Sequence, residues 1–169
     1  GFLDRLAAAP IARSGILLGR LAGTTAIAAA QVLFFLAIGV IFGGRIQSGI
    51  PGALVALAIG VLAGVGFGAL GALLAYRAKS AAIVQAIFPL AFVALFLSSA
   101  FFPEALLLEP AKTIAAINPL SYIAEGIRNP IVSDLDAKPV LEGFAAAGGL
   151  AVLFVLLAVQ ALRTRLRTS

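Results

Sequence analysis

Few side chains in this sequence could do covalent chemistry. It has no cysteine and no histidine, which removes thiol nucleophiles, disulfides, the usual zinc ligands and imidazole acid–base catalysis. The hydroxyls of Thr24, Thr25, Ser98 and Ser99 sit near the ends of apolar runs with no base nearby in sequence. Lys79-Ser80 looks like the end of a phosphate-binding loop. That loop needs Gly-x-x-x-x-Gly-Lys-Ser/Thr, and Arg77 and Ala78 stand before the lysine instead, so no nucleotide site is expected there. The remaining polar chemistry gathers between Phe101 and Pro139. Glu104, Glu109, Lys112, Glu125, Arg128, Asp134, Asp136 and Lys138 fall here, with five of the chain's eight prolines.

The elements that carry these residues are apolar. Hydrophobic residues make up 62% of the chain and charged ones 11%, which places it in the membrane class rather than among soluble domains. Ile46 to Tyr76 is the longest uncharged run, bounded by Arg45 and Arg77. It is long enough for a loop at Pro51 and a crossing over 53–76, since roughly 20 apolar residues span the hydrocarbon core. Gly60, Gly64, Gly68 and Gly71 fall within roughly 80° of its circumference at about 100° per residue. Glycine weakens a helix, so such a row points to a seam where backbones pack closely, within the chain or across a dimer.

Three further crossings are expected over 21–44, 80–102 and 143–162. The crossing over 80–102, third in chain order, holds Pro89, a kink that neighbouring helices can tolerate. Segment 1–20 reads as a short amphipathic helix broken by Pro10, then helical spacing from Ile11 to Gly23. As physics alone, this is equally a membrane-surface helix or a docking helix for a cytoplasmic partner. The charges at Asp4, Arg5, Arg13 and Arg20 do not fit a signal peptide. With no methionine in the chain, Gly1 reads as the start of a fragment or processed product. Segment 103–139 reads as short helices started by Pro110 and Pro119, dipping into the interface or folding over the spans.

Of the twelve basic residues, eight fall on the side of both ends and four (Arg45, Lys112, Arg128 and Lys138) on the other. The positive-inside rule therefore puts both termini in the cytoplasm. The net charge of +5 flanks apolar runs instead of forming a phosphate-tracking patch, so nucleic acid is not an expected partner. The crossings contain no Asp, Glu, Lys or Arg, which argues against a self-contained proton pump or an intramembrane hydrolase. Any work must be powered from outside, or be passive. The expected fold is an all-α membrane protein of four transmembrane helices.

Three stretches resemble the membrane subunit of an ABC-2-type exporter, a class of bacterial drug, lipid and polysaccharide efflux permeases. Gly1-Phe-Leu-Asp-Arg-Leu through Pro10-Ile-Ala-Arg13 resembles the family's coupling helix. Leu97-Ser-Ser-Ala-Phe-Phe-Pro103 is similar to the end of its fifth span. Ile117-Asn-Pro-Leu-Ser-Tyr122, followed by Glu125 and Arg128, resembles the segment between its last two spans and is the most specific of the three. The most similar group is the daunorubicin-resistance type of permease, of which this chain looks like the C-terminal two-thirds.

The resemblance implies a transport subunit, not an enzyme, in the bacterial inner membrane. A separate nucleotide-binding ATPase would hold ATP and magnesium, leaving no cofactor or metal in this chain. Phe2, Leu3, Asp4, Arg5, Leu6, Pro10 and Arg13 would couple to that ATPase. A second permease copy, identical or a sister, would complete the path. Phe101, Phe102, Pro103, Asn118, Pro119, Tyr122, Glu125 and Arg128 would lie near the outer gate, in extracellular re-entrant helices. A plainer role for Asn118 and Pro119 is to stop one short helix and start the next. Two other readings stand beside the exporter: a passive channel or carrier, suggested by the glycine row and Pro89, and a membrane scaffold without transport.

Overall fold

A computed structural model describes residues 13–77, 81–102 and 106–165. Six helices make up the described chain: α1 (Arg13–Ile41), α2 (Gly49–Arg77), α3 (Ala81–Phe96), α4 (Ala111–Ile117), α5 (Pro119–Val132) and α6 (Ala137–Arg165). No strand occurs among the described residues. Three helices are long and apolar enough to cross a membrane, over Leu18–Ile41, Gly49–Arg77 and Ala137–Thr164.

The helix ends depart from the apolar runs for identifiable reasons. From Arg13 onward the expected N-terminal segment and the first span form one continuous helix, α1, while the expected break at Pro10 lies outside the described residues. The helix stops at Ile41, short of the expected Gly44, because Gly43 turns left-handed at φ 89°. Gly44 N then donates to Gly39 O (2.8 Å) and Gly43 N to Val40 O (3.0 Å). These two bonds form a Schellman cap that satisfies carbonyls the helix would otherwise leave open. Pro51 is not in a loop. It lies in the first turn of α2, where a missing N–H costs nothing. The third expected crossing is shorter as a helix than its apolar run, since α3 ends at Phe96 and the chain turns from Leu97 onward. Its 16 residues extend about 24 Å, less than a full hydrocarbon core. Pro89 lies inside it.

The hub is α2. It packs most extensively on α6, and also on α1 and α5, while α5 lies against α6. Ala56 and Ile59 of α2 and Ala147 of α6 are fully buried, with Ile123 of α5 closing one core cluster. Ala72, Leu73 and Tyr76 meet Ala158 and Ala161 of α6 in a second. Small residues make these contacts possible. In lipid, apolar side chains gain little from meeting each other, so close backbone approach and dispersion must supply the attraction.

Two sides of α2 show this. A Cβ at Gly60 would come 2.7 Å from Val32 Cγ2, and Cβ atoms at Gly64 and Gly68 would overlap the side chains of Ala28 and Thr24 on α1. On another side, Gly66 sits against the main chain of Ala151 in α6, where an added Cβ would come 3.2 Å from its nitrogen. The seam of Gly60, Gly64 and Gly68 thus faces a neighbour in the same chain. Gly71 does not share it: a Cβ there would meet nothing within 4 Å. A close backbone-to-backbone approach joins α5 and α6, where a Cβ on Gly126 would stand 2.8 Å from Gly143 Cα and 3.0 Å from Pro139 O.

Candidate functional site

Three polar residues of the Phe101–Pro139 region, Asn118, Ser121 and Arg128, converge on the C-terminal end of α3. Sequence sets this up locally. Ile117-Asn118-Pro119 must leave the helical region, because the residue before a proline is pushed toward extended backbone. Asn118 takes φ −83°, ψ 118° and separates α4 from α5. Its N–H donates to Ala115 O (3.2 Å), ending α4. Its Oδ1 accepts from Leu120 N (3.0 Å), capping α5, and Pro119 fills the first helical position.

The same side chain reaches further. Asn118 Nδ2 donates to Ala94 O of α3 at 2.7 Å. One turn along α5, Ser121 Oγ accepts from Ser99 N at 3.0 Å, and Ser121 O accepts from Ser99 Oγ at 3.4 Å. Two turns further, Arg128 Nη2 donates to Ser99 O (2.7 Å) and Ala100 O (3.0 Å), while Nη1 pairs with Glu125 at 2.8 Å. Asn118, Ser121 and Arg128 therefore present successive donors and acceptors along α5 to the main chain where α3 ends. They supply partners for carbonyls that the end of α3 leaves without intrahelical bonds. Ser98 and Ser99 are buried, and each uses its hydroxyl on a carbonyl, Ser98 on Leu95 O and Ser99 on Ser121 O. Neither is poised as a nucleophile. Thr24 and Thr25 donate back to Arg20 O and Leu21 O one turn earlier in α1.

Several expected gate residues meet in this clamp, and others do not. Asn118 and Arg128 hold α3 directly, and Glu125 holds Arg128. Tyr122 instead donates to Ala116 O of α4 (2.6 Å). Phe101 is exposed and stacks on Phe96, with ring centroids 4.9 Å apart, while Phe102 is exposed. Pro103 lies outside the described residues, as do Phe2, Leu3, Asp4, Arg5, Leu6 and Pro10 of the expected coupling segment. Arg13 is the first residue of α1. The pairing of Ser99 with Ser121 was not anticipated. Its only sequence signal is that each serine sits in one of the two motif-bearing stretches.

Beside the clamp lies an apolar cavity of about 310 Å³, between α1, the turn after it, α2 and α5. Gln47 N and Ser48 N of that turn donate to Ile131 O (3.0 Å) and Pro130 O (3.3 Å), fastening it to the end of α5. The clamp and the cavity offer no acid–base pair or nucleophile. They can hold and move helices, and they can bind apolar matter.

Comparison with curated proteins and with solved structures found no match. The family model for the ABC-2 type transporter matches residues 1–132, from the first residue through the last residue of α5. Both stretches that form the clamp fall inside that match. A multi-pass helical membrane protein carrying this match over most of its length belongs to the ABC-2 type transporter family, whose members are the membrane subunits of ABC transporters.

Proposed function

We propose that this chain is the permease subunit of an ATP-driven exporter, moving a hydrophobic drug, lipid or lipid-linked molecule out of a bacterial cell. A separate ATPase subunit binds ATP and magnesium and pushes on Phe2 to Ala9, with Asp4 and Arg5 at the joint. The push passes along the helix that follows and reorients the spans. Two permease copies pair around the path. In this reading α3 is a crossing in addition to α1, α2 and α6, both termini are cytoplasmic, and α4 and α5 lie on the outer side.

The observation that carries the proposal is the clamp. Asn118 and Arg128 bind main-chain carbonyls at the end of α3 and leave no polar group free for catalysis there. A hydrogen-bonded joint between a helix end and a short capping helix transmits displacement, as a transport gate requires. Motion must then come from elsewhere, because the crossings hold no ionisable group to harvest a proton gradient.

The test uses inverted membrane vesicles containing the permease and its ATPase. ATP-dependent accumulation of a lipophilic dye is expected, together with co-purification of the two subunits. Arg5→Glu should abolish both. Accumulation without ATP, or co-purification unaffected by Arg5→Glu, would turn the reading toward a passive carrier or a scaffold.

A further inference from the structure

Two arginines border α5 and are treated differently by the fold. Arg128 is engaged by Glu125, Ser99 O and Ala100 O. Arg45 makes no hydrogen bond or ion pair with any described residue. It follows the Schellman turn four residues after the last spanning residue of α1, at the height where an apolar helix gives way to polar chain. It is also the one charged residue lining the 310 Å³ cavity. The walls are otherwise hydrocarbon, with Val32, Phe35 and Val40 from α1, Ala56 from α2, and Ile127 and Ile131 from α5.

Such a cavity is poorly suited to water, which needs two to four polar partners and would find only Arg45 on these walls. Arg45 is exposed at the edge of the hydrocarbon region, the level of lipid phosphates, which a guanidinium binds through paired hydrogen bonds. One molecule that satisfies both halves of the site has a flexible apolar chain and a negatively charged head, and the bilayer supplies it. The volume is at the low end for ligand pockets, which suits one acyl chain and not a bulky ring system. We infer that the cavity seats one acyl chain of an anionic phospholipid whose phosphate lies on Arg45, as a resident lipid and not as cargo. The inference is independent of the export reading, since retention of a lipid requires neither ATP nor transport.

Native mass spectrometry of the protein in mild detergent tests this with dioleoyl phosphatidylglycerol and, in parallel, dioleoyl phosphatidylcholine. The unmodified protein should retain a single phosphatidylglycerol and little phosphatidylcholine. Arg45→Gln should weaken retention about tenfold, the loss expected for a charge-assisted bond, while Arg45→Lys should largely keep it. Gly39→Leu should also lose it. Gly39 lines the cavity with nothing within 4 Å of its would-be Cβ, so leucine fills the space and improves helix propensity. Circular dichroism of each variant checks that the helices persist.

Equal retention of both lipids, or retention unchanged in Arg45→Gln, overturns the headgroup assignment. Loss in Arg45→Gln with full retention in Gly39→Leu overturns the seated chain and leaves only surface attraction. A lipid-free dimer mass from the unmodified protein would show a second copy covering the cavity and would also overturn the inference.

Discussion

The two halves of this molecule are joined by opposite means. Around α2, contact depends on side chains that are missing: Gly60, Gly64 and Gly68 admit α1, Gly66 admits α6, and Gly126 and Gly143 let α5 and α6 meet at their backbones. Around α3, contact depends on side chains that reach. No described helix packs extensively along α3, and what ties it down is the set of hydrogen bonds from Asn118, Ser121 and Arg128. Packing by close approach sums many weak terms over a long surface and resists any relative motion. A few directional bonds at one end can hold a helix while leaving its length free to tilt. The α1–α2–α5–α6 assembly is thus the rigid, closely packed half, and α3 is joined to it by directional bonds at its C-terminal end.

The largest effect that would break this contrast lies at the contact of α5 with α6. Gly126→Leu must push against Gly143 Cα and Pro139 O, both main-chain atoms that cannot rotate away. A loss of about 3 kcal/mol, the upper end for overpacking, is expected in denaturation followed by circular dichroism. An unchanged midpoint would mean that α5 and α6 stand further apart. In the other half, Arg128→Ala removes two bonds to main-chain carbonyls, and its half-exposed partner Glu125 contributes little to the cost. Loss of a charged donor to these carbonyls is worth about 2 kcal/mol. That cost should fall on the end of α3 and not on the global unfolding of the bundle. The sequence has no cysteine, so Phe101→Cys gives a label site without background. Its rate of thiol labelling should rise several-fold when Arg128→Ala is added. If the global midpoint falls while labelling at that position stays constant, the end of α3 belongs to the rigid half and the division is wrong.

The rigid half was the more legible in sequence. Length, absence of charge and glycine spacing mark α2, and the four-residue rhythm of Gly60, Gly64 and Gly68 is matched by Thr24, Ala28 and Val32 on α1. Which face meets which neighbour was not legible, because the period defines a stripe and names no partner. Gly126, the lone glycine of α5, carried no signal, and Gly143 stands five residues before Gly148, off the four-residue rhythm of a packing stripe. In the hydrogen-bonded region around α3, the proline and asparagine at 118–119 announced the break between α4 and α5 through backbone sterics alone. The reach of Asn118 and Arg128 to α3 could not be read, since a bond spanning 24 or more residues depends on how the chain folds back. The end of α3 was misplaced for a related reason. Leu97 to Phe102 is almost as apolar as the helix before it, and hydropathy does not register that its carbonyls are taken by Arg128.

The smallest effect separates a seam from a stripe. Gly60 and Gly71 share one arc of α2, and both would gain from alanine by about 0.5–1 kcal/mol of helix propensity. Gly60→Ala meets Val32 Cγ2 at 2.7 Å, so the valine must shift and the gain should be cancelled or reversed. Gly71→Ala meets nothing within 4 Å and should keep the gain, raising the midpoint slightly. The pair shares chemistry, helix and depth class, so their difference isolates the contact with α1. Equal shifts in the two variants would show that α1 does not press on α2, and the rigid half would shrink to α2, α5 and α6. A loss at Gly71 would show instead that another surface covers it in the assembled protein. The seam would then continue past Gly68 onto a partner that this chain does not supply.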